Sequence, residues 1–265
     1  MDLETWVNAQ GGIAARTAAR DAGFGERALR VHRLGRRWLA TDRADPLLRE
    51  AAEHGARLAC ASAAAHRGLA LLEAPDRVHL AVPRSARIRH DDRHRFHTSA
   101  PIAACGEPLL ESVPDMLEHL AVCLPAREAF IVWESALRRR LIGRYELSRI
   151  PWRRTASRRL AARAGAESDS LLESLLAWEL HELGIPFVQQ APLLGQPVDF
   201  LVDGRLVVQT DGYEFHRDAQ QRRRDIEHDA RLMLESVPVI RRDYVHIVHR
   251  MPETRDLLLR RLALT

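Results

Sequence analysis

Leucines recur every three or four positions between residues 170 and 183, a spacing that places them on one face of an amphipathic helix. They are Leu172, Leu175, Leu176, Leu180 and Leu183. Three short apolar runs follow, at 185–195, 197–203 and 205–213, and each predicts a strand. The Asp203-Gly204 pair between the last two runs predicts a tight hairpin turn.

The remaining C-terminal residues complete this pattern. A polar stretch at 217–236 predicts a long helix, the apolar run at 237–245 predicts a fourth strand, and a last helix follows. The predicted order is therefore helix, three strands, helix, strand, helix.

Residues 2–42 have the pattern of three short helices followed by a hairpin. Two helices joined by a tight glycine-containing turn, the second rich in arginine, are typical of a helix-turn-helix DNA-binding motif. We expect a winged helix-turn-helix here, with a small helical bundle that has a solvated arginine face as the alternative. The side chains expected to contact the DNA backbone are Arg16, Arg20, Arg27, Arg30, Arg33 and Arg36.

Residues 43–150 mix helical and strand-like patterns, which predict a mixed α/β domain. Its polar stretch 90–97 lacks the spacing of a known zinc motif and is interpreted either as a metal site or, preferably, as a solvated loop. That stretch contains His90, Asp91, Asp92, His94 and His97.

A basic run that includes Arg153 and Arg154 is interpreted either as a solvated surface or as a DNA-facing bridge. The chain is accordingly divided into a winged-helix segment, a middle domain, a basic linker and a C-terminal segment. Their bounds are 1–42, 43–150, 151–167 and 168–265. The expected fold class is α/β with mixed α+β character.

Composition adds two constraints to this division. Of the 265 residues, 46% are hydrophobic and 29% are charged, which suits a globular protein. The formal net charge is +4, and all 40 basic residues are arginine. Codon usage in a GC-rich genome is one explanation, and binding of phosphate by the bidentate guanidinium group is the other.

The three cysteines form no CxxC pair, which predicts a reduced compartment and argues against a disulfide framework and against a zinc–thiolate site. The first residues lack the features of a signal peptide, and no apolar run reaches the ~18 residues of a membrane span. We therefore expect a cytoplasmic protein with no membrane partner.

The hairpin at 197–213 carries the residues with the clearest chemical potential. Asp199 lies in an apolar run, where a charge is costly unless it is paired or bound to a metal. Neighbouring strands lie ~4.8 Å apart, so Asp199 and residues 209–211 could share one ion. Mg²⁺ takes hard oxygen ligands, including one or two carboxylates, and supports phosphodiester cleavage.

Each candidate also has a plain structural explanation. Asp199 could cap a turn, Asp211 could belong to an Asp-Gly turn, and His216 could begin a helix. Glu173 fits a capping box with Ser170. The joint order, a glutamate on a helix and then two strand aspartates and a histidine, favours the functional interpretation.

At this point a resemblance is evident. Residues 168–249 resemble the endonuclease-like domain related to the very-short-patch-repair endonucleases, within the PD-(D/E)XK superfamily. The similar pieces are SLLESLL, GIPFVQQ, VDFLVDGRLVVQTDGYEFH, RRRDIEHDARL and VPVIRRDYV. The N-terminal part resembles the winged-helix region and following domain of type IV abortive-infection antitoxin-like proteins. The resemblance implies an αβββαβ core at the C-terminus.

The resemblance also implies a Mg²⁺ (or Mn²⁺) site. Asp199 would be the main ligand, the Thr210 carbonyl would assist, and Asp211 would supply a second carboxylate. Glu173 would orient water, and His216 would transfer a proton. Further family positions fall on Asp225, on Asp229 and on the basic Arg241. Of these three, we expect Arg241 to contact nucleic acid.

The chain departs from its apparent relatives at three places. Most relatives have glutamate at position 209, where this chain has Gln209, and the superfamily lysine position is Asp211. A helix stretch that reads DRRRD in relatives reads DIEHD here, which removes two basic residues. A neutral amide offers an oxygen to a metal but no charge, so a lower metal affinity is expected.

The sequence therefore predicts a metal-dependent DNA endonuclease-like protein. The first alternative is a non-catalytic DNA-binding regulator of the antitoxin type that keeps only the nuclease fold. The second is a partner-binding module of a defence system. A homodimer, or a toxin–antitoxin or defence partner, is a further expectation.

Overall fold

The computed structural model describes residues 1–88, 91–212 and 219–263, without the side chains of 219–222, 224 and 225. It is mixed α/β, with helices and three small sheets. Contacts divide the chain into two units, which are described separately. Unit 1 comprises Met1–Leu124 and Arg149–Arg158, and unit 2 comprises Pro125–Ser148 and Arg159–Thr265.

Unit 1 begins with three short helices and a three-stranded antiparallel sheet. The helices are α1 (Leu3–Ala9), α2 (Arg16–Asp21) and α3 (Glu26–Leu29), and the strands are β1 (Ile13–Ala15), β2 (Arg33–Leu34) and β3 (Trp38–Ala40), in the order β1-β3-β2. The predicted hairpin is confirmed as β2 and β3. Apolar side chains of the three helices and of the sheet form one core cluster, which includes Leu3, Val7, Leu29 and Leu39.

Strand β1 is an element that the sequence did not predict, since only three helices and a hairpin were expected in residues 2–42. Gly11 and Gly12 both have a φ of +83° and turn the chain back beside β3. A Cβ on Gly12 would lie 2.5 Å from the backbone nitrogen of Ala44, so a side chain cannot be accommodated there. The turn buries Ile13, and the second helix starts at Arg16.

The rest of unit 1 packs helices against a second small sheet. The elements are α4 (Pro46–Glu53), β4 (Arg57–Leu58), α5 (Cys60–His66), β5 (Val78–Ala81), β6 (His94–His97) and α6 (Val113–Cys123). The sheet order is β4-β5-β6, with β4 antiparallel and β6 parallel to β5. The mixture of helices and strands predicted for 43–150 is thereby confirmed.

Unit 2 contains α7 (Ala126–Arg138), α8 (Arg144–Arg149, which reaches unit 1 at its last residue), α10 (Leu171–Leu183), α11 (Ala219–Leu234) and α12 (Met251–Ala263). Helix α9 (Thr155–Arg163) begins in unit 1 and lies in the stretch that the sequence predicted as a linker. A π-helical turn, Val245–His249, precedes α12.

The sheet of unit 2 has the order β10-β9-β8-β7. Its strands are β7 (Phe187–Leu193), β8 (Gln196–Val202), β9 (Leu206–Asp211) and β10 (Val239–Asp243), with β10 parallel to β9 and the other neighbours antiparallel. The predicted order of elements is confirmed. The predicted turn is confirmed too, since Asp203 and Gly204 have φ of +51° and +68°, as a type I′ hairpin turn requires.

Among the described residues, no helix combines the length and apolar character that crossing a membrane requires.

Candidate functional site

A row of polar side chains crosses the sheet of unit 2 from edge to edge. On β7 and β8 the flanking pairs Gln189–Phe200 and Ala191–Val198 put Gln190 level with Asp199. Asp199 in turn contacts Gln209 on β9 through a hydrogen bond. Gln209 is paired directly with Arg241 on β10. Several neighbouring residues of the two central strands, among them Val198, Phe200, Val207 and Val208, are apolar and buried, so these polar side chains lie beside the core.

Asp199 stands where the ladder between β8 and β9 gives way to side-chain hydrogen bonds. The last backbone pair is Phe200 with Val208. Beyond it the Asp199 backbone N–H donates to Oε1 of Gln209 at 3.1 Å. Oδ2 of Asp199 accepts hydrogen bonds from the Thr210 N–H at 2.7 Å and from the Thr210 hydroxyl at 3.1 Å. The Asp199 carboxylate is thus held in one orientation by the neighbouring strand.

Glu173 lies in the first turn of α10 and is only 5% exposed. Its backbone N–H donates to Oγ of Ser170, as the predicted helix cap requires. Its Oε2 accepts from the Asp169 N–H at 2.9 Å and from Nε2 of Gln190 at 3.2 Å. Burial raises the pKa of Glu173, and the nearby charge of Asp199 adds to the increase. Capping and proximity to Asp199 therefore coexist in this residue.

Gln190 is a member of the site that the sequence analysis did not single out. Its φ is +51°, a left-handed conformation that costs a non-glycine residue ~1 kcal/mol. Strained backbone of this kind is concentrated at functional sites. The available signal was a pair of glutamines, Gln189 and Gln190, that interrupts an otherwise apolar strand.

Asp211 and Arg241 form the other end of the site. Arg241 contacts Oδ1 of Asp211 through Nη1 at 3.2 Å and Oδ2 of Asp229 through Nε at 2.7 Å. The guanidinium group expected to contact nucleic acid is therefore paired with two carboxylates. His216 lies outside the described residues, as does the side chain of Asp225.

The carboxylates do not form a tight ligand set by themselves. In the described part of the chain, one group of three or more His, Cys, Asp or Glu side chains has its ligand atoms within 4.8 Å of one another, and it lies in unit 1. Glu173, Asp199 and Asp211 do not form such a group. The atoms around Asp199 that could bind a metal are nevertheless oxygens, which suits Mg²⁺ or Mn²⁺. These ions commonly bind one or two protein carboxylates and complete their coordination shell with water.

The arginines predicted to contact DNA differ in their surroundings. Arg27, Arg30, Arg33 and Arg36 are exposed. Arg16 and Arg20 both pair with Glu26, at 3.0 and 2.5 Å. Arg153 donates to the backbone carbonyls of Ala100 and Pro101, and Arg154 is exposed.

The polar stretch 90–97 of unit 1 is only partly a solvated loop. His94 is buried and lies 2.8 Å from Oε1 of Glu50 and 2.7 Å from Oδ1 of Asp91. The hydrogen bond from His94 lowers the pKa of Asp91. Asp92 is exposed, and His90 lies outside the described residues.

Comparison with protein-family models and with curated proteins finds no match for this chain.

Proposed function

We propose that the chain is a metal-dependent DNA endonuclease-like protein, with a PD-(D/E)XK-type core in unit 2 and a winged-helix region at residues 1–42. The observation that carries the proposal is the Asp199 carboxylate, fixed by Thr210 where two central strands separate, with the buried Glu173 beside it. A carboxylate that the fold holds in one orientation is what a hydrolytic metal site needs.

Asp199 is the residue that would hold Mg²⁺ or Mn²⁺, assisted by the Thr210 carbonyl and by Asp211. When bound, the ion would neutralise charge that develops on the phosphate and lower the pKa of a water molecule. Glu173, whose pKa is raised by burial, would orient that water by hydrogen bonding. His216 would transfer a proton, and the exposed arginines of unit 1 would contact the DNA backbone.

Gln209 is the residue that limits the metal affinity of this site. It lies opposite Asp199 and beside Arg241, and its Oε1 accepts the Asp199 N–H. A glutamate here would add a second charge next to Asp199, while the amide supplies only an oxygen. The proposed metal site is therefore expected to have a low metal affinity.

Gln209→Glu is expected to raise the affinity for Mn²⁺ by roughly tenfold, because carboxylate count tunes the affinity of oxygen-ligand sites. An oxygen of the new side chain can still accept the Asp199 N–H, so the local fold should persist. Titration calorimetry with Mn²⁺ measures the change, and nicking of a supercoiled plasmid should rise with it. An unchanged Mn²⁺ affinity would show that position 209 does not control metal binding.

The function itself is tested by incubating the purified chain with supercoiled plasmid and Mg²⁺ or Mn²⁺. Nicking that stops when EDTA is added is the expected result. A plasmid that stays intact over a wide range of metal concentrations, together with intact single-stranded DNA and RNA, would contradict the proposal.

Two observations favour a second candidate, a DNA-binding regulator that keeps only the nuclease fold. Asp211 is paired with Arg241, and the Gln209 amide is used in a structural hydrogen bond. For this candidate we expect specific binding to a promoter fragment without cleavage, measured by mobility shift in the presence of Mn²⁺.

A further inference from the structure

Two cysteines and two histidines from four separate elements of unit 1 meet in its interior. Cys60 begins α5, His79 lies on β5, His97 ends β6, and Cys123 ends α6. One ligand atom from each, a thiol sulfur or a ring nitrogen, lies within 4.8 Å of all the others. Cys60 is fully buried, and His79 and His97 are 4% and 8% exposed.

The spacing of the two imidazoles fits a tetrahedral ion. Nδ1 of His79 lies 3.2 Å from Nε2 of His97. With Zn–N bonds of 2.0–2.1 Å, two nitrogens on one tetrahedral zinc are separated by about 3.3–3.4 Å. Thiolates and imidazoles are the ligands that zinc prefers, whereas Mg²⁺ and Mn²⁺ prefer oxygen.

We propose that Cys60, His79, His97 and Cys123 form a structural zinc site in unit 1. Four protein ligands and a buried position are typical of closed structural sites, in which no coordination position is left for substrate. The site is chemically distinct from the oxygen-ligand site proposed at Asp199, and the two lie in different units.

The surroundings of the cluster hold its ligands in place. Oγ of Ser62 accepts the backbone N–H of His79 at 2.9 Å. The ring of His119 stacks on His97 with centroids 4.4 Å apart, and its Nδ1 lies 2.8 Å from Oε1 of Glu111. The other oxygen of Glu111 accepts the Cys60 N–H at 3.3 Å. Supporting contacts of this kind orient the side chains that bind the metal directly, and they are common around metal sites.

Cys60 also has a strained backbone. Its φ is +48°, although it is not a glycine and begins a helix. This conformation costs ~1 kcal/mol or more and persists only where the surroundings require it. A requirement to direct the Cys60 thiol at the other three ligands accounts for the strain.

The cluster reverses the expectation drawn from the cysteine spacing. The lack of a CxxC pair speaks against a zinc–thiolate site only where the ligands come from one short loop. Here each ligand comes from a different element, so they lie far apart in the sequence. An ion would connect α5, β5, β6 and α6, and two of those elements are strands of only four residues. Zinc binding would therefore stabilise the fold of unit 1.

The metal content of the full chain tests the proposal. Protein purified under reducing conditions, without added metal or chelator, is expected to contain about one zinc ion per chain, as measured by inductively coupled plasma mass spectrometry. Cys60→Ser and His97→Ala should reduce this to near zero. The matched control is Cys105→Ser, because Cys105 is the remaining cysteine and does not belong to the cluster. Equal zinc content in Cys60→Ser and Cys105→Ser would overturn the assignment.

Because ligand variants can fail to fold, exchange of zinc for Co²⁺ in the wild-type chain gives an independent result. Tetrahedral cobalt with two thiolates has intense visible d–d bands and a thiolate-to-cobalt charge-transfer band in the near ultraviolet. We expect both, and removal of the metal should lower the unfolding temperature. A weak octahedral spectrum, or a metal-free chain with a Cys60–Cys123 disulfide under reducing conditions, would contradict the proposal.

Discussion

Asp199→Asn is expected to lower metal-dependent nicking of plasmid by at least about 100-fold. Loss of even an outer partner of a metal ligand costs a site ~10–100-fold, and Asp199 is assigned as the ligand itself. Asparagine retains an oxygen that can accept the Thr210 N–H, so the divergence of β8 and β9 should be preserved. The substitution therefore removes the charge while it leaves the structural hydrogen bond in place.

Asp203→Asn is the matched control for this variant. It removes one aspartate charge from the end of the same hairpin, and asparagine tolerates the positive φ of that turn position. Nicking by the control should stay at the wild-type level. Undiminished nicking in Asp199→Asn, or an equal loss in both variants, would reject Asp199 as the ligand.

The second large effect concerns the stability of unit 2 and its dependence on pH. Glu134 on α7 is 2% exposed, and burial raises its pKa from 4.5 to about 7, against the opposing hydrogen bonds from Ser168 and Gly165. The folded state therefore keeps a proton that the unfolded state loses between pH 4.5 and 7. The free energy of unfolding should fall by about 3 kcal/mol as pH rises through this window.

Glu134→Gln is expected to remove this decline, because the amide stays neutral and retains an acceptor oxygen. Hydrogen exchange of the α7 amides under mild denaturant, corrected for the intrinsic effect of pH, reports the stability of unit 2 within the full chain. Glu146→Gln serves as the control, since Glu146 is an exposed acid in the same unit. Equal pH dependence in the wild type and in Glu134→Gln would show that Glu134 is not the titrating group.

The elements of unit 2 were predictable because their patterns are long and their boundaries are marked. The leucine spacing of α10 ends at Gly184, which has a φ of +67°, and Asp203-Gly204 fixes the hairpin register. Strand β1 was missed because it has only three residues and adjoins a helix of similar composition. The position of so short a strand depends on the close approach of Gly12 to Ala44. The hydrophobic periodicity of the sequence carries no information about that contact.

The candidate site was predictable only in part. The positions of Asp199, Gln209 and Asp211 on one hairpin follow from the strand pattern. The part played by Gln190 depends on a positive φ, and the pairing of Arg241 with Asp229 depends on contact between α11 and β10. The cluster of Cys60, His79, His97 and Cys123 depends on tertiary packing of four elements, so its spacing in the sequence carried no metal signal.

A crystal soaked in Mn²⁺ and measured at a wavelength with strong anomalous scattering would show where the ion binds. We expect an anomalous peak within bonding distance of the Asp199 carboxylate, separate from any metal at the Cys60–Cys123 cluster, and the loss of this peak in Asp199→Asn. Well-ordered density for Asp199 with no peak beside it at saturating Mn²⁺, from a chain that leaves plasmid intact, would contradict this expectation.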